Sequence, residues 1–207
     1  AIAIEKTGNP LPEQTLNLCL NTNAILFGAV DNCKYDTNLD LRPIQGLLKL
    51  RQALGLYANI RPIKPYNDLL DLSPLKRKII EGADFIIFRE LSGGSYYGEK
   101  KINEQGTLAS DLCEYSEDQI IRISHLYPDV TLEFLFVDSA ATQIITNPKQ
   151  FDVILTENLF GDILSDEASV ITGSIGLLPS ASIGNANALF EPIHGSYAKA
   201  KRKNIAN

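Results

Sequence analysis

Two hydrophobic rhythms alternate along the chain. Residues 151–156, FDVILT, form an apolar run between Asn147-Pro148 and Glu157-Asn158, which predicts a buried strand. From about 159 to 171 the spacing becomes helical, with Leu159, Phe160, Ile163, Leu164 and Ile171 on one side, Asn158 as cap and Gly173 as stop. Earlier in the chain, Asn9-Pro10-Leu11-Pro12 turns into a helix over 13–20, and 24–30 reads as a strand. A second helix spans 45–54, with Leu47, Leu48, Leu50 and Leu54 apolar and Gly55 closing it. Residues 57–61 are extended and closed by Pro62. Ser73-Pro74 predicts a helix start, with the helix running to Glu81 before Gly82. The run 83–89, ADFIIFR, is the next strand. Residues 99–115 are polar and project as an arm, and Ser116 caps a helix that breaks after His125. Residues 130–137 predict a strand ending at Asp138. Helices alternating with apolar strands make an α/β protein with an open sheet.

At 207 residues, 44% of them hydrophobic, the chain forms one domain or two small ones with a real core. The formal net charge is −6, and the only basic run is Lys199, Lys201, Arg202, Lys203, so nucleic acid is not an expected partner. Cys19, Cys33 and Cys113 have no metal-site spacing and read as free thiols of a reducing compartment. No apolar run approaches membrane-spanning length and no secretory signal opens the chain, so the expected setting is soluble and cytoplasmic. The chain has no methionine, even at its start, and reads as a fragment. Neither a P-loop nor a G-x-G-x-x-G turn occurs, which removes both common nucleotide fingerprints.

Asp162 and Asp166 stand one helical turn apart and repel by about 0.2–0.5 kcal/mol. Asp162 suits the first turn of a helix, where acids are favoured; Asp166 lies a turn beyond that effect. The pair is either a solvated acidic face or a site for a hard divalent cation, Mg2+ or Mn2+. The carboxyl end of a strand followed by a helix is also where open α/β sheets hold ligands. Arg51, Arg61 and Arg89 fall on a helix, an extended segment and a strand end; each is a surface ion pair or a carboxylate clamp. His194-Gly195-Ser196 follows Glu191-Pro192 in a loop, and a lone loop histidine is by itself a weak signal.

Taken together, LLKLRQALGLYANIRP, FRELSGGSYYGE, FVDSAATQ, FDVILTENLFGDILSDEASVITGSIGLLPSAS and EPIHGS resemble the β-decarboxylating dehydrogenases, above all their isopropylmalate branch. The resemblance covers nearly the whole chain. It implies an isopropylmalate dehydrogenase-like open sheet with flanking helices, not a Rossmann fold, in two subdomains sharing one site. The cofactor side is 1–55 with 174–207; the dimerisation and metal side is 56–173, with an arm near 95–115 that pairs with a second subunit. It implies NAD- and Mg2+- or Mn2+-dependent oxidative decarboxylation of 3-isopropylmalate to 4-methyl-2-oxopentanoate, a step of leucine biosynthesis, in a homodimer with shared active sites. Asp138, Asp162 and Asp166 would hold the metal, with Asp138 supplied by the neighbour. Arg51, Arg61 and Arg89 would bind the malate carboxylates, and Leu47 would meet the variable substituent. Tyr96 would protonate the enol. Gly176, Ser180, His194, Gly195, Ser196 and Asn207 match cofactor-contacting positions.

Several departures from the family pattern stand out. The opening strand with its Gly-Asp-Gly turn is missing before Ala1, and the terminal helices after Asn207. Between the helix at Glu117 and residue 130 the family carries a further block with its catalytic lysine, and no residue here takes that place. Ile44 stands where many isopropylmalate enzymes carry a Glu, and Asp31-Asn32-Cys33 replaces a Gly/Pro-rich turn. NAD-using members place an Asp five residues after the loop histidine; that place falls on Lys199, which cannot accept hydrogen bonds from ribose hydroxyls. The alternatives are a non-catalytic remnant or fragment of this enzyme, or a sister isocitrate or tartrate dehydrogenase.

Overall fold

The computed structural model describes residues 2–30, 35, 41–93, 100–103, 105, 107–111, 125–197, 200 and 203–205. Its helices are α1 (Ile2–Thr7), α2 (Glu13–Leu20), α3 (Pro43–Ala53), α4 (Arg77–Ile80), α5 (Val137–Thr146) and α6 (Asn158–Thr172). Its strands are β1 (Ala24–Leu26), β2 (Ala58–Ile63), β3 (Phe85–Glu90), β4 (Lys100–Ile102), β5 (Ala109–Asp111), β6 (Val153–Thr156), β7 (Pro179–Ile183) and β8 (Ala188–Pro192). Six strands form one mixed sheet in the order β1-β8-β7-β2-β3-β6. The pairs at its two edges, β1 with β8 and β3 with β6, are parallel; the inner pairs are antiparallel. The sheet is open and its neighbours alternate with helices, as expected for the α/β reading.

Two clusters of apolar side chains hold it. Ile63, Phe85 and Ile87 from the sheet pack with Ile80, Ile144, Leu164 and Ile171 from the helices around β3 and β6. Leu47 and Leu50 of α3, and Leu54 just after it, pack with Leu56, Leu91 and Leu189 toward β8. Each such side chain, fully buried, contributes about 1.5–3 kcal/mol. On α3 the buried stripe includes Leu47, Leu50 and Arg51, and Leu54 continues it just past the helix, so an arginine occupies a core position.

Several expected boundaries shift, each for a local reason. The strand expected over 24–30 ends at Leu26, after which Phe27 donates one more hydrogen bond to Phe190 and the chain leaves the sheet. The extended segment does not close at Pro62; β2 runs through it to Ile63. Ile86, opposite Pro62, donates to Asp152 on the far side of β3, so the proline nitrogen faces β7, whose pairing has already ended at Ile60. No ladder bond is lost there. Ser73-Pro74 starts no helix: a 3-10 segment Asn67–Leu72 precedes it, and α4 begins after Lys76. The Ser73 hydroxyl instead donates to the Val170 carbonyl (2.6 Å) and accepts from Leu75 N–H, pinning the loop to α6.

The cap of α6 is Glu157, not Asn158: its carboxylate accepts from Leu159 and Phe160 N–H at 2.8 and 2.5 Å. Gly173 ends the helix as expected, at φ +80°. The face of α6 differs from the apolar tally. Gly161, Leu164, Ser165, Ala168, Ile171 and Thr172 are buried, whereas Phe160 and Ile163 are 41% and 54% exposed. Small residues face the sheet because the helix lies directly on the Arg89 side chain. Residues 131–136 form no strand and are exposed; Asp138 instead lies in the first turn of α5. The polar arm contains a short hairpin of β4 and β5, closed by Asn103, whose side-chain oxygen accepts from Thr107 and Leu108 N–H. The helix expected from Ser116 lies outside the described residues. Strands β7 and β8, which complete the sheet, have no counterpart in the expected elements.

Candidate functional site

The period of a strand is two, so Asn59, Arg61 and Ile63 share one face of β2, and Phe85, Ile87 and Arg89 share the matching face of β3. That face is the buried one: Asn59 is 0%, Arg61 3% and Arg89 4% exposed. In register, Asn59 lies opposite Arg89 on one side and Ser182 on the other. A polar row therefore crosses the sheet under α3 and α6, which bring Arg51 and Asp162 to the same place. Arg51, Arg61, Arg89, Asp162 and Glu191 line one cavity of about 200 Å³, with Leu47, Leu48, Ile44, His194 and Gly195 on its walls.

The charges are closely paired. Asp162 Oδ1 accepts from Arg89 Nη1 at 2.6 Å and lies 3.0 Å from Arg61 Nη2. Arg61 Nη1 donates to the Ser165 hydroxyl and stands 3.9 Å from Asp166. Arg89 Nε donates to Asn158 Oδ1 at 2.9 Å, and Arg51 pairs with Glu191. Arg51 Nε is buried and has no hydrogen-bond partner among the described residues. Burial pulls the Arg61 guanidinium below its ordinary range, against the opposing pull of Asp162 and Asp166. Burial and then the Asp162 charge hold the Asp166 carboxyl above the usual carboxylate range, although Arg61 and Arg89 act the other way. A carboxyl at Asp166 that is costly to ionise, close to buried guanidiniums, is an arrangement suited to binding charge.

Of the residues named from the sequence, Leu47, Arg51, Arg61, Arg89, Asp162, His194 and Gly195 line this cavity. Asp166 adjoins it through Arg61. Asp138 is exposed on α5, its carboxylate accepting from Ser139 N–H, and does not join Asp162 and Asp166 within one chain. No group of three or more His, Cys, Asp or Glu side chains assembles a metal cage among the described residues. The Asp162–Asp166 pair supplies hard oxygen donors of the kind Mg2+ and Mn2+ take, and one chain alone leaves the set short of a third. Gly176 is exposed on the 3-10 segment Ile175–Leu177. Ser180 is buried in β7, its hydroxyl accepting from Asn59 Nδ2 at 2.8 Å. Ser196 is half-buried beyond His194. Tyr96, Lys199, Asn207, Cys33 and Cys113 lie outside the described residues; Cys19 is a free thiol. Asn59, Ser165 and Ser182 are polar contacts of the site that the sequence reading does not single out, and Asn158 is read there only as a helix cap.

Gly161 sets the height of α6 above this cavity. A Cβ there would sit 2.8 Å from Arg89 Cγ and 2.9 Å from Thr156 Cγ2. Gly161→Ala therefore displaces the Arg89 guanidinium. The expected cost is about 1–3 kcal/mol of stability, as for other overpacked sites, together with weaker anion binding in the cavity. Thermal melts and dicarboxylate titrations of the variant check this; unchanged values for both would show that Arg89 has room to move.

Comparison with known proteins gives a consistent result. The family described as isocitrate/isopropylmalate dehydrogenase matches residues 1–126 and 123–207. A 3-isopropylmalate dehydrogenase of Bacteroides fragilis is 45% identical over an aligned stretch of 246 residues, covering 100% of this chain and 69% of that protein. One from Lactococcus lactis is 46% identical, covering 100% and 70%. The crystal structure of isocitrate dehydrogenase from Methylococcus capsulatus superposes with a TM-score of 0.81 at 28% identity, over 100% of this chain and 70% of that one. The two family segments meet at 123–126, inside the interval where the resemblance expects a further block, and the aligned stretch of 246 residues exceeds the 207 of this chain.

Proposed function

This chain belongs to the isocitrate/isopropylmalate dehydrogenase family, and on that premise we propose that it serves the oxidative decarboxylation of 3-isopropylmalate to 4-methyl-2-oxopentanoate in leucine biosynthesis. The observation that carries this reading is the convergence of three buried guanidiniums on one cavity, with Arg51 Nε unpartnered there among the described residues. A dicarboxylate supplies an acceptor of the kind Arg51 Nε lacks among the described residues, and Arg forks match carboxylates in geometry. Leu47 and Leu48 form an apolar wall beside them. An isopropyl group against that wall gains about 25 cal/mol per Å² buried, whereas a third carboxylate there would be desolvated without a partner.

The cofactors in this reading are NAD and Mg2+ or Mn2+. When bound, NAD accepts hydride and the divalent ion acts as a Lewis acid for decarboxylation. Asp162 and Asp166 would hold the ion with Asp138 of the partner subunit, and Tyr96 would deliver the final proton. His194 and Gly195 line the cavity and, with Gly176 and Ser196 outside that lining, would contact NAD in this reading. Two features support a homodimer: the separation of Asp138 from the other two aspartates, and the exposed apolar side chains of Leu159, Phe160 and Ile163 on α6.

The test is paired calorimetric titration of this chain with 3-isopropylmalate and with isocitrate in Mn2+. Tighter binding of 3-isopropylmalate is expected, by about tenfold or more, the scale of 1–3 kcal/mol for an apolar substituent in a fitted pocket. Tighter binding of isocitrate would overturn the substrate assignment. A second reading is favoured by the break at 123–126: a chain that binds the substrate without turning it over, since no residue takes the place of the family's catalytic lysine. Binding without reduction of NAD separates it from the first.

A further inference from the structure

The Arg61 guanidinium is buried at 3% exposure and is gripped on three edges. Nη2 faces Asp162, Nη1 donates to Ser165, and Nε donates to Asn59 Oδ1 at 2.7 Å. Asp162 and Ser165 both belong to α6, which lies over the sheet; Asn59 is the one contact of the three that comes from the sheet itself. Its amide is fully oriented. Nδ2 donates to Ser180 Oγ at 2.8 Å and to Ser182 Oγ at 3.0 Å, both on β7. The amide cannot turn over, because that would point its NH2 at the N–H of Arg61, and a guanidinium has no acceptor. Asn59, Ser180 and Ser182 are all within 3% of full burial, so no water shares these bonds from the surface.

We propose that Asn59, held by Ser180 and Ser182, is the positioning residue that fixes the plane of Arg61 for anion binding. The proposal rests on the reading of Arg61 as a carboxylate clamp. It gives Ser180 a role other than cofactor contact: its hydroxyl anchors an amide that orients a guanidinium. In this arrangement β7, which follows the Gly176 segment, is wired to the substrate arginine through one side chain. Chains of satisfied buried hydrogen bonds rigidify what they hold.

Two measurements on this chain test it. The first is exchange of the Arg61 Nε proton with water, followed by arginine-selective 15N NMR. Asn59→Ala is expected to speed it about tenfold or more, the fold-change for one lost hydrogen bond to a charged group. Asn59→Asp keeps the acceptor for Arg61, and the Ser180 and Ser182 hydroxyls can turn to donate to its second oxygen, so the hold from β7 persists and protection of that proton is expected to return. The second is affinity for 3-isopropylmalate, expected to weaken about tenfold in Asn59→Ala and to recover in Asn59→Asp. Should Asn59→Ala not fold, Ser180→Ala with Ser182→Ala removes only two hydroxyls, and faster Arg61 exchange is expected there too. Unchanged exchange in the folded variants overturns the proposal whatever ligand the cavity takes. Altered exchange with no measurable binding of 3-isopropylmalate by the unmodified chain leaves the positioning intact and overturns the substrate reading instead.

Discussion

Arg61→Met is expected to weaken the proposed dicarboxylate binding by about 30-fold or more and to lower the stability of the protein at the same time. Removing one partner of a buried charge pair costs about 3–5 kcal/mol when the other is left alone. Here Asp162 keeps Arg89 at 2.6 Å and is a third exposed, so the low end of that range applies. Asn59 Oδ1 loses its donor and stays buried, which adds about 1–3 kcal/mol. Binding suffers separately, because truncating one member of a desolvated charge pair across an interface costs about 2–5 kcal/mol, at least about 30-fold in affinity. Calorimetric titration with 3-isopropylmalate reads the second effect, and a urea melt reads the first. A variant that binds within about threefold of the unmodified chain would show that Arg61 is a structural ion pair and that the cavity holds its anion elsewhere.

The same residue shows where the sequence is legible and where it is not. In ANIRPI the apolar side chains Ala58, Ile60 and Pro62 share one face, which an alternation argument would turn inward. The sheet does the reverse and buries Asn59, Arg61 and Ile63. The hint lies in the partner strand: Phe85 and Ile87 share a face with Arg89, so that face carries apolar and basic residues together. A second hint is Arg51, spaced at i+4 from Leu47 and i−3 from Leu54 on the buried stripe of α3. Neither hint says that three arginines separated by tens of residues meet, because that depends on the antiparallel register of β2 with β3 and on α3 crossing nearby. The family resemblance names all three; the residues alone leave each as a possible surface pair.

Legibility was best where local chemistry decides the structure. The helix carrying Asp162 and Asp166 is closed by a glycine at positive φ, and its strand-helix unit follows from the change of period. It failed where long-range contact decides. Glu157 caps α6 because Asn158 is drawn into the core by Arg89 Nε, a partner far away in the sequence. The segment 131–136 has the composition of a strand, yet no described strand lies beside it to complete a ladder. β7, with its serines and small residues, lacks the apolar density that marks a strand, and is ordered by its two neighbours and by Asn59.

Asp166→Asn is expected to stabilise the metal-free protein and, on the proposed metal-site reading, to remove the stabilisation that Mn2+ would give the parent. Asp166 is held above the usual carboxylate range by burial and by the neighbouring Asp162 charge, and the 3.9 Å approach of Arg61 does not offset this. A carboxyl whose folded pKa is raised binds its proton more tightly in the folded chain. Its contribution to stability therefore rises as pH falls through the raised value, and ionisation at neutral pH opposes folding. Asparagine removes that charge and leaves the shape. The melting temperature of the variant at neutral pH is expected to exceed that of the parent, and to depend less on pH in the mildly acidic range. The response to Mn2+ runs the other way. On the proposed reading, an ion held by Asp162, Asp166 and Asp138 of the partner subunit would stabilise the parent by about 2.7 kcal/mol at a hundred times its Kd. That corresponds to about 5–10 °C for a chain of this size. The shift shrinks as pH falls, because the ion then competes with the Asp166 proton. In Asp166→Asn it is expected to vanish. A variant that melts lower than the parent without metal, or that keeps the Mn2+ shift, would show that Asp166 is a stabilising partner of Arg61 and no ligand.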